Sequence, residues 1–207
     1  GHPLSSTVTM TMALPNLEVI YEDSQCDGKT AVSALSKLIN VDGVVAVIGE
    51  ACSGATLAAA PLAEKNQVVM ISPASTSPNI TQAGDYIFRV VPSDALQGDL
   101  GAKLVNKKGF KRLAVLYSNE EYGLGFEQVL KKSFVSLGGQ IVASESFERG
   151  ATDIRTQITK IKAVNPEAVY LISNSLDSAV AALRQIKELS LEVTVFSAEG
   201  LKNANLI

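Results

Sequence analysis

The stretch VVAVIGEACSGATLAAAPLAE, residues 44–64, decides the fold. Its first five residues form an almost continuous apolar run that stops at Gly49, which is typical of a strand whose sheet carries helices on both faces. Small residues follow, and the pattern over Ala55–Glu64 predicts a helix. A strand, a short turn and a helix in this order form the repeating unit of an α/β fold.

Units of the same kind recur on both sides of this stretch. The predicted strands are Leu17–Tyr21, Val44–Ile48, Val68–Ile71, Tyr86–Val91, Arg112–Tyr117, Gln140–Ser146, Ala168–Ile172 and Glu192–Ser197. The predicted helices are Thr30–Ile39, Ala55–Glu64, Ala95–Lys107, Gly125–Leu137, Asp153–Val164 and Ser178–Leu189. This alternation predicts parallel sheets with right-handed crossovers, which is the doubly wound α/β class.

A break between two groups of units lies at Val91-Pro92-Ser93-Asp94. Proline does not suit a central strand, and Ser93 or Asp94 can cap the helix that follows. The sequence therefore predicts two doubly wound lobes joined by a hinge, over residues 1–92 and 93–207. Two such lobes indicate that a ligand binds in the cleft between them.

Both lobes are expected to be partial. Residues 1–16 offer one alternating segment, from Val8 to Leu14, followed by a proline, rather than a strand that leads into a helix. The chain stops shortly after Glu199-Gly200, within what would be another strand–helix unit. Open sheet edges in such a fragment would favour self-association.

The composition excludes several classes of function. The 207 residues include 18 Lys and Arg against 21 Asp and Glu, so we expect no basic surface for nucleic acid or acidic membranes. His2 is the only histidine, which excludes Ser-His-Asp and Cys-His catalysis and most zinc sites. Gly123-Leu124-Gly125 does not complete a dinucleotide motif, because Gln128 replaces the third glycine. We therefore expect no enzyme, no metal and no cofactor, and an enzyme of the doubly wound class remains an alternative only if a cofactor does the chemistry.

The two cysteines, Cys26 and Cys52, match no metal-binding spacing. In a cytosolic protein they would be two unrelated buried thiols. In an exported protein they would form a disulfide, and closing a loop of that size contributes about 3.5 kcal/mol to stability. Composition alone leaves both alternatives open.

Polar groups follow several of the predicted strands, where open α/β sheets bind their ligands. Ser53 lies at a helix start whose N–H groups suit an anion, although taken alone the residue is more typical of a helix cap. The loop Ser72–Pro78 offers hydroxyls and carbonyls, or it is an ordinary connection. Tyr122 could stack over a ligand or lie on the surface, and Glu199 could bind a cation or be solvated.

Together these motifs resemble the leucine/isoleucine/valine-binding family of periplasmic solute receptors, which have the type I fold and serve branched-chain amino acid ABC importers. The likeness runs from about Leu17 to Leu201. The motifs that carry it are Tyr21-Glu22-Asp23, Cys26-Asp27, Val47-Ile48-Gly49, Cys52-Ser53, Ile71–Pro78, Phe88-Arg89, Tyr122–Gly125 and Glu199-Gly200.

The resemblance implies a role for individual residues. Ser53 and the helix start behind it would hold the α-carboxylate of an amino acid, and the Thr76 N–H would also reach it. The carbonyl of Ala74, the hydroxyl of Thr76 and the carboxylate of Glu199 would receive the α-ammonium. Tyr122 would close over the ligand from the second lobe.

The resemblance also sets expectations for the rest of the protein. Asn174 stands where the family often has a tyrosine, and this shorter amide could admit a polar ligand side chain or leave room for a larger one. Cys26 and Cys52 match the disulfide of the family. A periplasmic location and a membrane permease as partner follow. Two alternatives are a ligand-sensing domain of a receptor or regulator with the same fold, and a site for an amide or another small carboxylate.

Overall fold

The structure is a computed structural model that describes residues 17–201. The strands are β1 Ala46–Ile48, β2 Val69–Ser72, β3 Ile87–Arg89, β4 Arg112–Ser118, β5 Gln140–Phe147, β6 Ala168–Ile172 and β7 Thr194–Ser197. The helices are α1 Gly28–Asn40, α2 Ser53–Asn66, α3 Asp94–Lys107, α4 Glu121–Ser136, α5 Arg155–Ala163 and α6 Leu176–Glu188. Short 3-10 turns cover Pro78–Gln82 and Glu199–Leu201. The alternating segment predicted within residues 1–16 lies outside the described residues.

The strands form two separate parallel sheets, as the alternation of elements predicts. One sheet has the order β1-β2-β3, and the other has the order β5-β4-β6-β7. We call the part built on β1–β3 with α1 and α2 the first lobe, and the part built on β4–β7 with α3–α6 the second lobe. The doubly wound α/β architecture with two lobes is therefore confirmed.

Small side chains let the helices of the first lobe pack closely. Its core joins Ala31 and Leu35 of α1 to a row of alanines on α2 and to Met70 of β2. Alanine presents no long side chain, so two helices that meet through alanines can approach each other and the sheet.

The sheet of the second lobe is covered on both faces. One face packs against aromatic side chains that include Phe126 and Phe134 of α4, and the other packs against Ile158 of α5 and Ile186 of α6. All five residues of β6 are buried, because this strand is central and has helices on both sides.

Two predictions for the first lobe are wrong. Leu17–Tyr21 is not a strand, and four of its five residues are exposed, with Tyr21 86% exposed. The apolar run Val44–Ile48 is not covered on both faces, since Val45 and Ile48 are 87% and 86% exposed. Within the described residues β1 is an edge strand, so no neighbouring strand buries this side of the sheet.

The chain crosses from the first lobe to the second through the hinge, Val90–Ser93. Ser93 caps α3, since its hydroxyl accepts a hydrogen bond from the Ala95 N–H. The lobes also touch away from the hinge, where the Asn79 amide donates to a Glu121 carboxylate oxygen at 3.4 Å. The start of α4 therefore packs against the Pro78–Gln82 turn of the first lobe.

Cys26 and Cys52 form a disulfide, with their Cα atoms 5.3 Å apart, so the expected pairing is present. The bridge ties the segment before α1 to the residue that precedes α2. Between residues 17 and 201 no helix combines the length and apolar character needed to cross a membrane.

Candidate functional site

A cavity of about 730 Å³ lies between the lobes, near the carboxyl ends of strands from both sheets. The residues predicted for the site all line it, namely Ser53, Ala74, Thr76, Tyr122, Asn174 and Glu199. Parallel strands of one sheet end at the same edge, so the residues that follow them are brought together. The fold therefore brings these residues to one cavity. Their roles in binding stay predictions.

The start of α2 offers open N–H groups to the cavity. Cys52 precedes the helix and makes no side-chain cap, because its sulfur is used in the disulfide. Ser53 is therefore the first helical residue rather than the cap, and its hydroxyl accepts a hydrogen bond from the Ser77 N–H at 3.2 Å. This bond leaves the Ser53 O–H free to donate. Uncapped helical N–H groups with the positive end of the helix dipole suit an anion.

Three buried hydroxyls hold the loop after β2 against the loop after β1. The Glu50 carbonyl accepts hydrogen bonds from the hydroxyls of Ser72 at 2.5 Å, Ser75 at 3.1 Å and Thr56 at 3.2 Å. The Ser72 hydroxyl in turn accepts from the N–H groups of Ser75 and Ala74. The loop that carries Ala74 is therefore fixed by polar contacts inside the lobe.

The second lobe presents mostly uncharged oxygens and one carboxylate. Tyr122 is 5% exposed, packs edge-on against Phe126, and has a buried hydroxyl without a hydrogen-bond partner among the described residues. Burial raises the pKa of Tyr122, so the phenol stays neutral and can donate. The Asn174 side-chain oxygen is also buried without a hydrogen-bond partner among the described residues. Glu199, by contrast, is exposed and lines the cavity.

Asp94, the first residue of α3, was not predicted as a site residue. Its side chain is fully buried, and neither carboxylate oxygen has a hydrogen-bond partner within residues 17–201. Burial raises the pKa of Asp94 to about 7. The sequence offered Asp94 as a helix cap, but Ser93 takes that role. Nothing in the spacing signals that the carboxylate would turn inward.

Arg149 is a second residue that the sequence did not single out. It follows β5, is exposed, and lines the cavity together with a smaller one of about 310 Å³ beside it. Burial raises the pKa of Glu120, and the positive charge of Arg149 partly opposes that rise. Its place two residues after a strand end is the signal that could have identified it. In the same region no group of three or more acidic, Cys or His side chains could hold a metal.

Comparison with known proteins identifies similar chains. A family model described as periplasmic binding protein matches residues 15–204. The chain is 33% identical over 190 residues to the leucine-, isoleucine-, valine-, threonine- and alanine-binding protein of Pseudomonas aeruginosa, covering 91% of this chain and 50% of that protein. The chain thus spans about half the length of the curated relatives it matches.

Solved structures agree with this match. A leucine-binding protein from Thermotoga maritima superposes with a TM-score of 0.84 at 30% identity, over 92% of this chain and 54% of that one. A branched-chain amino acid transporter substrate-binding protein from Streptococcus pneumoniae, in complex with isoleucine, gives 0.76 at 29% identity, over 88% and 52%. Since the family model covers nearly the whole chain, the chain belongs to the periplasmic binding protein family.

Proposed function

We propose that the chain is the ligand-binding part of a solute receptor that captures a free amino acid, branched-chain or related, for an ABC importer. The observation that carries the proposal is that one cavity is lined both by a group suited to donate, Ser53 at the start of α2, and by a charged acceptor, Glu199 from the other lobe. A zwitterion needs both, and excluding water strengthens each charge-assisted bond.

The carboxylate of the amino acid would bind at the start of α2. Ser53 would donate its hydroxyl proton, which the contact with Ser77 leaves free, and the first N–H groups of the helix would add theirs. The Thr76 N–H would reach the same carboxylate from the neighbouring loop. All of these donors belong to the first lobe.

The ammonium would bind between the lobes. The Ala74 carbonyl and the Thr76 hydroxyl would accept from one side and the Glu199 carboxylate from the other. A charged acceptor for a charged donor gives the stronger class of hydrogen bond. Because Glu199 comes from the second lobe, a bound amino acid would stabilise the closed arrangement.

The remaining wall of the cavity suits an aliphatic side chain. Leu96 and Leu100 lie one turn apart on α3, both are about half exposed, and both face the cavity together with Val91 and Pro92 of the hinge. Burying apolar surface here would add about 25 cal/mol for each Å². The amide of Asn174 would lie on the second-lobe side of the same cavity.

Calorimetric titration of the protein that carries this sequence tests the proposal. We expect heat from leucine, isoleucine or valine, and at least 100-fold weaker binding of 4-methylpentanoate, which lacks the ammonium, and of leucinamide, which lacks the carboxylate. Binding of 4-methylpentanoate as tightly as leucine would contradict the zwitterion site. The absence of heat from every amino acid would contradict the proposal as a whole.

The cellular setting is part of the same proposal. The family supports a location outside the cytoplasm and a membrane permease as partner, and the relatives are solute-binding proteins rather than enzymes. We also propose that the lobes divide near residue 92, between β3 and α3. Loss of leucine uptake in cells that lack the gene, restored by the wild-type gene, would test the transport role.

A further inference from the structure

Arg149 stands at the tip of a turn whose backbone is held in place. The Ala151 N–H donates to the Glu148 carbonyl at 2.9 Å, and Gly150 takes a left-handed conformation, with a φ of 84°, that such a turn needs. The Glu148 carboxylate accepts from the Asn119 amide at 2.9 Å, which ties the turn to the loop after β4. Arg149 is therefore presented from a fixed backbone, although the residue itself is exposed.

Arg149 faces the start of α2 across the cleft between the lobes. The residues that line both the larger and the smaller cavity are Cys26 and Cys52 of the first lobe and Arg149 of the second. Ser53 lines the larger cavity and Gly54 the smaller one, so the first residues of α2 lie between the two. The second lobe therefore brings a positive charge toward this helix start.

The Arg149 guanidinium forms no ion pair and no side-chain hydrogen bond within residues 17–201. Every other arginine of the chain is used inside the protein, in hydrogen bonds to backbone carbonyls or in ion pairs, namely Arg89, Arg112, Arg155 and Arg184. The five N–H donors of Arg149 are thus available to a molecule that enters the cleft.

The carboxylates that line the smaller cavity leave this guanidinium available, because each has another donor. Asp27 accepts from the N–H and the hydroxyl of Thr30, both at 2.8 Å. Glu120 accepts from the Ser118 hydroxyl at 3.0 Å. Glu121 accepts from an amide of the first lobe at 3.4 Å.

We propose that Arg149 is a further binding residue, which closes from the second lobe onto the ligand carboxylate at the start of α2. This inference rests on the proposed function, which puts the carboxylate there. A guanidinium offers a carboxylate two parallel N–H donors, and such charge-assisted pairs are stronger than neutral hydrogen bonds. The carboxylate would then be held from both lobes, as the ammonium would be.

Three ligands test this role in the protein that carries this sequence. Leucine has both charges, 4-methylpentanoate has only the carboxylate, and leucinamide has only the ammonium. Affinities are measured by calorimetry, or by NMR titration where binding is weak. Arg149→Gln is expected to weaken leucine and 4-methylpentanoate by the same factor, about tenfold or more, and leucinamide by about twofold at most. Arg149→Lys keeps the charge without the fork of donors and should recover part of the loss.

Lys132→Gln is the matched control. It also removes one positive charge from an exposed residue of the second lobe, but Lys132 lies on α4 and lines neither cavity. All three affinities should stay at their wild-type values in this variant. Thermal unfolding of each variant establishes that it is folded before binding is measured.

The pattern over the three ligands separates this inference from the proposed function. Unchanged leucine affinity in Arg149→Gln overturns the inference, and so does an equal loss for all three ligands, because a structural role would weaken leucinamide as well. If wild type binds 4-methylpentanoate as tightly as leucine, the zwitterion site fails, yet a loss confined to the two carboxylates still supports Arg149. A wild-type protein that binds neither carboxylate overturns the inference.

Discussion

In the proposed site, Glu199 is the residue whose charge would matter most for the ligand ammonium. We expect Glu199→Gln to weaken leucine binding by 10- to 100-fold, since a hydrogen bond to a charged group contributes about 1.5–3 kcal/mol. Ser53→Ala is expected to cost less, about 1–2 kcal/mol, because it removes one donor while the helix N–H groups remain. Calorimetry at pH 7.5 on both variants checks this order. A larger loss of affinity for Ser53→Ala than for Glu199→Gln would contradict the proposal that Glu199 binds the ammonium.

Asp94 also predicts how stability depends on pH. Burial raises the pKa of Asp94 from its ordinary value of 3.8, which applies to the unfolded chain, to about 7 in the folded protein. The folded state therefore binds the proton more tightly than the unfolded state does. The free energy of unfolding should therefore fall as pH rises from about 4 to 7, and then level off. Asp94→Asn removes this slope and should be more stable than wild type at pH 8, by on the order of 3 kcal/mol.

Urea unfolding at pH 5 and pH 8 measures the effect, with Asp99→Asn, a partly exposed residue paired with Lys103, as the control on the same helix. Equal slopes in wild type and Asp94→Asn would contradict the buried charge.

Individual side chains divide into those that sequence reasoning can find and those it cannot. Ser53 and Glu199 could be found because both follow apolar strands, and strand ends meet at one edge of a sheet. The inward turn of Asp94 could not be predicted, since it depends on how the start of α3 packs against the loop that carries Thr76. The convergence of three hydroxyls on the Glu50 carbonyl likewise exists only once two loops have packed together.

At the scale of elements, the loop after β2 is held by the hydroxyl of Ser72. Ser72→Ala removes its bond to the Glu50 carbonyl and leaves the N–H groups of Ser75 and Ala74 without their acceptor. We expect a loss of about 2 kcal/mol in the free energy of unfolding, because buried unsatisfied groups each cost about 1–3 kcal/mol. Ser33→Ala, on the exposed side of α1, is the control and should change little.

Denaturant unfolding decides this prediction, and an effect of Ser72→Ala no larger than that of Ser33→Ala would contradict it. A second readout is leucine affinity, which should also fall because Ala74 follows Ser72 closely in the same loop. Changes in both quantities together would link the fold of the loop to the site.

Most helices and strands were predictable from periodicity, and the errors have one cause. The segment Leu17–Tyr21 has the composition of a strand, but a strand forms only where a neighbour satisfies its backbone groups. The apolar residues of β1 indicated a strand with two covered faces, but one face is exposed because no described element packs on it. By contrast, β6 has partners on both sides and behaves as its apolar run predicts. Local sequence indicates the propensity of a segment to form a strand, but the elements that must pair with it or cover it lie elsewhere in the chain.

At the scale of the molecule, the approach of the lobes depends on a missing side chain at Gly125. A Cβ atom there would lie 2.9 Å from Pro78 Cδ and 3.1 Å from Ser77 Oγ, both in the first lobe. We expect Gly125→Ala to push the lobes apart and weaken leucine binding about tenfold, since overpacking costs about 1–3 kcal/mol. Gly54→Ala is the matched control across the same contact, because its Cβ would keep an ordinary 3.8 Å from Glu121.

Small-angle scattering and calorimetry on the two variants test this difference. A more extended Gly125→Ala protein with reduced affinity, beside an unchanged Gly54→Ala protein, is the expected result. Equal affinities in the two variants would show that the contact does not limit closure.

In the proposed site, the unequal sharing of polar groups between the lobes would also set a time order for capture. The first lobe holds Ser53, the start of α2 and Ala74, and would therefore receive an amino acid before the second lobe adds Glu199 and Tyr122. The speed of encounter would then depend on the first lobe, and the lifetime of the complex on the second. Stopped-flow measurements should accordingly find that replacing Glu199 hastens departure and scarcely alters arrival.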